Sequence, residues 1–372
     1  MSTPQNPEPQ PLAPQAANGR APSGQSAGPS TGQPSAPRLG APSPAPSPGP
    51  MSIERATWAG DALRTTVDAI EHVIHGKRRV VELVLATQVA EGHVLLEDVP
   101  GTGKTALART LAAVSQGQAA RIQFTPDLLP GDVTGVTVYD QGRQSFDFHP
   151  GPIFANIVLA DEINRASPKT QAALLEVMEE RQITVDGVSH PVPEPFMVIA
   201  TQNPVEQAGT YRLPEAQLDR FMVKTSIGYP DEAAMRRILT EQTMAGGRGP
   251  IVKPVMTAGT LLQLQDFAAE VYVSPLIADY LTRLVEATRA ASEVRLGASV
   301  RGALALQRAA RAWALVHSRG YVVPDDVRDL AIAVLAHRLV LEPEAEFDGV
   351  TAEQVVGQIL LDVPQPQENG TA

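Results

Sequence analysis

The run His93-Val94-Leu95-Leu96-Glu97-Asp98-Val99-Pro100-Gly101-Thr102-Gly103-Lys104-Thr105 decides the fold. Val94, Leu95 and Leu96 make a short apolar strand without polar alternation, the pattern of a strand covered on both faces. A glycine-rich turn breaks the strand, and a helix is expected from about Lys104. In that order, Gly101 and Gly103 let backbone N–H groups curl around phosphate oxygens while the helix presents its positive end. Lys104 is placed to reach the β and γ phosphates of a nucleoside triphosphate, and the Thr105 hydroxyl is placed to meet Mg²⁺. Pro100, Gly101, Thr102, Gly103, Lys104, Thr105 and Ala106 are therefore the expected phosphate cradle. One position departs from the pattern G-x-x-x-x-G-K-[ST]. Its first glycine falls at Asp98, where an inward carboxylate would repel phosphate, so this side chain is expected to point away.

Working outward, Ile157-Val158-Leu159-Ala160-Asp161-Glu162 is an apolar strand ending in two carboxylates. Alone, two acids at a strand end would be a solvated boundary or a helix cap. Downstream of a phosphate loop they suit Asp161, which can hold Mg²⁺ through water, and a general base, Glu162, that polarises the attacking water. A third apolar strand, Phe196-Met197-Val198-Ile199-Ala200-Thr201, delivers Gln202 and Asn203. An Asn-Pro pair by itself signals only a turn, but at this strand end the Asn203 amide can meet the γ-phosphate or the water.

The chain has 372 residues, 43% hydrophobic and 19% charged, which suits more than one folded unit. A formal charge of −11 and only 4% aromatics argue against a nucleic-acid partner. The absence of cysteine removes disulfides and thiolate chemistry. No apolar run reaches the ~20 residues of a membrane span and no secretory leader is visible, so a cytoplasmic protein without membrane insertion is expected.

Residues 1–50 are dominated by Pro, Ser, Gly, Ala and Gln, too apolar-poor to order themselves, and read as a tether or spacer. From Ser52 a helical period begins with Ala56, Leu63, Val67, Ile70 and Val73, and a second helix is expected at 78–90. Buried strands at 120–124, 157–160 and 197–201 complete a parallel sheet covered on both faces, giving a phosphate-binding α/β domain over 51–229. A helical domain is expected over 230–345, with helices at 232–243, 258–271, 274–291, 300–318 and 324–335. An acidic tail, with one short helix at 351–361, is expected over 346–372.

Taken together, 93–105, Asp161-Glu162-Ile163-Asn164-Arg165-Ala166, Thr170-Gln171-Ala172-Ala173-Leu174-Leu175-Glu176, Met178-Glu179-Glu180-Arg181-Gln182 and Ala200-Thr201-Gln202-Asn203-Pro204 resemble the MoxR family of AAA+ ATPases. The likeness runs from about residue 53 to 347. It implies an AAA+ P-loop domain followed by a helical lid, with ATP and Mg²⁺ at the site. It further implies that Asn203 is the sensor 1 residue and that Arg220, in Glu215-Ala216-Gln217-Leu218-Asp219-Arg220-Phe221, is an arginine finger reaching the adjacent subunit's ATP. Arg301, in Leu296-Gly297-Ala298-Ser299-Val300-Arg301-Gly302, matches the sensor 2 arginine. An isolated surface ion pair is the plain alternative for either arginine. The resemblance leaves open whether Arg301 serves its own ATP or a neighbour's. His75 and Gly76 sit where relatives line the adenine.

Two hairpins are expected, over 134–148 with a turn at 140–143 and over 182–192 with a turn at Asp186-Gly187. Rings of this kind commonly turn such inserts toward the pore, which makes Phe146 and Phe148 candidates for touching a client. The implied function is ATP-driven, chaperone-like remodelling of a protein client by a self-assembled ring, a hexamer, with a partner bearing a von Willebrand factor A domain. Two other readings stand beside it: the motor subunit of a metal chelatase, which a partner complex with metal-inserting activity would reveal, and a nucleic-acid helicase or loader, which stimulation by DNA or RNA would reveal.

Overall fold

The computed structural model describes residues 51–203, 211, 213–244 and 252–366. The chain enters through α1 (Ile53–Glu71), whose N-cap Ser52 side chain accepts from the Arg55 amide, and α2 (Arg78–Val89). Then come β1 (Val94–Glu97), α3 (Lys104–Val114), β2 (Ala119–Gln123) and a short α4 (Pro130–Thr134). A first hairpin, β3 (Gly135–Asp140) and β4 (Ser145–Pro150), precedes β5 (Ile157–Asp161) and α5 (Pro168–Glu180). A second hairpin, β6 (Gln182–Val185) and β7 (Val188–Pro191), leads to β8 (Met197–Gln202), α6 (Glu215–Leu218) and β9 (Val223–Thr225).

The main sheet is five-stranded, in the order β2-β5-β8-β1-β9, and every pairing in it is parallel. Successive side chains of a strand point to opposite faces, and here both faces are apolar. Val94, Leu96, Leu159 and Ile199 join one buried cluster with α1, α2 and α3, while Leu95, Val158, Ala160, Val198 and Ala200 join another with α5. The sequence reading anticipated β5 and β8 as buried strands and both hairpins. The strand expected at 120–124 forms as β2 but lies at the sheet edge with only Ile122 of its five residues buried, and β9 was not anticipated because three residues are too few for a periodic signal.

The remainder is helical: α7 (Glu232–Met244), α8 (Ala258–Glu270), α9 (Pro275–Ala290), α10 (Val300–Val316), α11 (Pro324–Leu335), α12 (Pro343–Phe347) and α13 (Ala352–Asp362). A small antiparallel ribbon, β10 (Val294–Leu296) with β11 (Val340–Leu341), ties the layer together. α10 is its axis. Leu306, Ala310, Trp313 and Ala314 are wholly buried in the cluster shared with α1 and α2. Trp313 is the largest of the fully buried side chains, and truncating a buried Trp to Ala costs about 3–5 kcal/mol.

The expected tail beginning at 346 needs correction. Val355, Val356, Ile359 and Leu360 are buried in the same cluster. The helical layer therefore continues through Asp362, because α13 carries an apolar face that an acidic average composition conceals. The expected tether over 1–50 lies outside the described residues.

Candidate functional site

The glycine turn follows the C-terminal end of β1. Gly101 (φ +87°) and Gly103 (φ +95°) both occupy the left-handed region. A Cβ at either would meet open space, so conformation rather than crowding asks for glycine. Lys104 opens α3, and its Nζ donates to the carbonyls of Asp98 at 3.1 Å and Val99 at 3.5 Å, curled back over the turn that a phosphate would enter. Thr102 is buried, and Thr105 and Ala106 are half-buried in the first turn of α3. Pro100 stands exposed at the lip.

Asp98 points away from the turn, as its charge requires. It is 4% exposed, and its two oxygens accept from the backbone N–H of Ile227 at 2.6 Å and of Gly228 at 2.9 Å.

The two acids of β5 are both engaged. Asp161 accepts from the Thr201 hydroxyl at 2.6 Å and from the Arg121 guanidinium at 2.6 Å. Glu162 sits at φ +57°, a conformation that costs a residue with a Cβ energy. Its carboxylate accepts from Gln123 at 2.9 Å and Arg165 at 3.0 Å, and its amide donates to Thr201 Oγ1 at 2.9 Å. Thr201 thereby joins β8 to both acids. Asn203 follows at the same strand end, 8% exposed, lining a cavity with Glu97 and Gln202.

A hydroxyl from Thr105 and a carboxylate from Asp161 are the oxygen donors that Mg²⁺ favours. Both Asp161 oxygens already accept hydrogen bonds, so a cation bound directly at Oδ2 competes with Arg121.

His75 is 6% exposed, and its Nε2 lies 2.9 Å from Glu241 on α7. That contact leaves Nδ1 buried and without a partner. Gly76 follows at φ +70°, beside Asp231 and Ala234 at the start of α7. The expected adenine-lining segment is thus fastened to α7.

Arg220 and Arg301 lie elsewhere. Arg220 Nη2 is 3.0 Å from Glu179 Oε2 and Arg301 Nη2 is 2.8 Å from Glu179 Oε1, so one carboxylate holds both. They line a cavity of about 260 Å³ together with Glu91, Gly92, His93, Arg181, Arg308 and Arg338. His93 precedes β1 and accepts Met222 N at 2.9 Å, so this cavity lies at the N-terminal end of the strand whose C-terminal end carries the glycine turn. At ~3.3 Å per residue the strand alone spaces the two sites by roughly 13 Å.

Arg338 fixes the Arg220 segment. Its guanidinium donates to the carbonyls of Asp219 at 2.9 Å and Phe221 at 2.6 Å, on either side of Arg220, and pairs with the Asp219 carboxylate. Burial lowers the Arg338 pKa to about 10. The Arg308 side chain makes no hydrogen bond or ion pair among the described residues; desolvation, and less so the neighbouring Arg181 charge, lower its pKa, while Glu91 raises it.

Phe146 on β4 is 73% exposed, as a client-facing residue needs to be. Phe148 is not: it stacks on His190 of β7, ring centroids 4.0 Å apart, and packs on the edge of Phe154. It joins the two hairpins to each other.

Residues 93–223 match the family described as "ATPase family associated with various cellular activities (AAA)", and residues 286–359 match the "AAA lid domain". The chain is 44% identical over 316 residues to chaperone MoxR1 of Mycobacterium tuberculosis, covering 82% of this chain and 83% of that one. The chain belongs to the MoxR family of AAA+ ATPases. It is also 49% identical over 306 residues to the uncharacterised protein YeaC of Bacillus subtilis, covering 82% and 95% of the two chains. A crystal structure of a candidate ATPase from Cytophaga hutchinsonii superposes with a TM-score of 0.79 at 37% identity, over 84% of this chain and 98% of that one. As a MoxR-family AAA+ protein the chain binds nucleotide and hydrolyses ATP, on a parallel-sheet domain followed by a helical lid.

Sequence reasoning missed Arg121, Gln123, Arg165, Glu179 and Arg338. For Arg121 and Gln123 a signal existed: they alternate on a strand whose neighbour carries Asp161, and Gln123 is in register with it. For Arg338 there was none, because its partners are 117–119 positions away.

Proposed function

We infer that this MoxR-family ATPase works as a ring of identical subunits, a hexamer, in the cytoplasm, and spends magnesium-dependent ATP hydrolysis on remodelling or activating a protein partner. The observation that carries the reading is the shared carboxylate: Arg220 and Arg301 are held together by Glu179, at the end of β1 remote from their own Lys104. Pairing there holds the two arginines away from their own glycine turn, which supports a role at the phosphates of an adjacent copy. Both are then expected to act in trans.

In this reading Gly101, Gly103, Lys104 and Thr105 hold the triphosphate, with Pro100, Thr102 and Ala106 shaping the turn, and His75 and Gly76 border the base. Thr105 and Asp161 hold the metal, which when bound supplies positive charge to the phosphate oxygens. Glu162 takes the proton of the attacking water, and Asn203 orients that water or the γ-phosphate. The neighbour's Arg220 and Arg301 offset charge on the transferring group, leaving Glu179 as they do so.

The lid extends from about 230 to 362 and the phosphate-binding domain from 51 to 229. Chaperone-like work is supported by the name of the M. tuberculosis relative, and exposed Phe146 suits contact with a client. A partner with a von Willebrand factor A domain remains part of this proposal. Among the described residues no helix is long and apolar enough to cross a membrane.

The test is to weigh Glu162→Gln protein with and without ATP by analytical ultracentrifugation, then use the ATP-bound form as bait. A six-subunit particle that forms with ATP and retains a protein partner is expected. A monomer in every nucleotide state would remove the ring.

A further inference from the structure

The aspartate that stands where the phosphate-loop pattern has glycine is not a passive substitution. Asp98 touches three parts of the site at once. Its side-chain oxygens accept from two successive amides, Ile227 N at 2.6 Å and Gly228 N at 2.9 Å, in the stretch between β9 and α7. Its own amide donates to the Gln202 carbonyl at 3.1 Å, one residue before Asn203. Its carbonyl accepts from Lys104 Nζ at 3.1 Å.

The stretch it grips is held from the other side as well. Lys77 Nζ donates to the Tyr229 carbonyl at 2.8 Å, and Gly228, at φ +67°, passes between Asp98 and Lys77. Beyond it, α7 is lightly packed over 232–241, where Ala234 is the buried side chain among the described residues. Met235 and Leu239 are 43% and 61% exposed, and the His75–Glu241 contact ties the helix to the segment between α1 and α2. An element held by a few charge-assisted hydrogen bonds moves more easily than one locked into a core.

The chemistry at Lys104 supplies the stimulus. Lys104 Nζ donates to the Asp98 carbonyl at 3.1 Å; a triphosphate in the turn offers the ammonium a stronger, anionic acceptor. The Asp98 peptide then loses its cationic partner while its carboxylate still holds residues 227 and 228.

We propose that Asp98 is a positioning residue that couples occupation of the phosphate turn to the placement of α7. The proposal rests on the reading of Lys104 as the phosphate-binding lysine. Asparagine is the diagnostic replacement. It keeps the shape and still accepts one amide, but its NH₂ opposes the other N–H, so one bond of the pair is lost.

The chain has no cysteine. Arg109→Cys on α3 and Arg236→Cys on α7, both exposed, therefore give two unique sites for a fluorescent donor and acceptor. Energy transfer is read in the full-length chain with and without a non-hydrolysable ATP analogue and magnesium. The wild-type pair is expected to show a nucleotide-dependent change. With Asp98→Asn, analogue affinity is expected to stay within about twofold, the change to shrink by at least half, and kcat to fall about tenfold. Lys77→Met, which cuts the opposite tether without touching the phosphate turn, is expected to alter the resting transfer efficiency and leave affinity intact.

Wild-type transfer changes and turnover in Asp98→Asn would overturn the proposal. So would loss of analogue binding in parallel with melting temperature, which would make Asp98 an ordinary structural residue, or an unchanged resting signal in Lys77→Met. Failure of the unsubstituted pair to bind the analogue would instead strike the reading of Lys104 itself.

Discussion

Arg121 and Asp161 form an ion pair across adjacent strands, Nη2 to Oδ2 at 2.6 Å, on the carboxylate assigned to the metal. A cation that binds Asp161 directly competes with this guanidinium. Arg121 is half-exposed, so the pair is worth no more than ~1 kcal/mol. Arg121→Ala is therefore expected to lower the magnesium concentration for half-maximal ATPase activity by about two- to fivefold. A magnesium titration showing no change relative to a surface control would mean that Asp161 meets the metal only through water.

Lys104→Ala removes the ammonium that reaches the phosphates and leaves the helix and turn in place. Calorimetry is expected to detect no nucleotide uptake by this variant, with its melting temperature within a few degrees of wild type. Full turnover would displace the phosphate site from this turn.

Glu162→Gln keeps size and hydrogen bonding but cannot take a proton. Nucleotide binding is expected to persist while kcat falls by about 10²–10⁴-fold. Single-turnover cleavage at the wild-type rate would reassign the base.

Two buried imidazoles make the fold sensitive to acid. His93 donates from Nε2 to the Met178 carbonyl and accepts the Val198 amide at Nδ1, joining α5 to β8; His337 donates to the Phe221 carbonyl beside Arg220. Burial pushes both pKa values down to about 4, below the ~6.5 of an exposed imidazole. A base whose folded pKa is depressed adds stability that is complete above ~6.5 and is lost as pH falls toward 4. Urea midpoints are expected to drop between pH 7 and pH 5, and His93→Gln to flatten that slope even if it lowers the plateau. A slope identical in wild type and variant would remove His93 from the acid response.

What the sequence disclosed followed the range of its signals. The glycine turn, the acids at the end of β5 and the apolar strands are local patterns, each legible in the sequence. Asp98 was legible only in part: charge said that it must turn away, but Ile227 and Gly228 are some 130 positions distant and nothing local points to them. β9 was too short to show a period. The engagement of Phe148 by His190, and of Arg220 by Arg338, arises where segments remote in sequence meet, and periodicity does not reach that far. The packed face of α13 was hidden by averaging over its acidic surroundings.

The central claim is that one subunit's phosphate turn is completed by another's arginine, and mixing two inactive proteins tests it most directly. Arg220→Ala keeps its own Glu162 but presents no finger, and is expected to turn over about 10³-fold slower or worse while binding ATP normally. Glu162→Gln keeps Arg220. In mixed assemblies the second supplies an arginine to the intact base of the first, so ATPase activity should reappear, peaking at intermediate ratios. Activity that stays at the level of the separate variants across all ratios, in particles shown to contain both, would contradict a shared site.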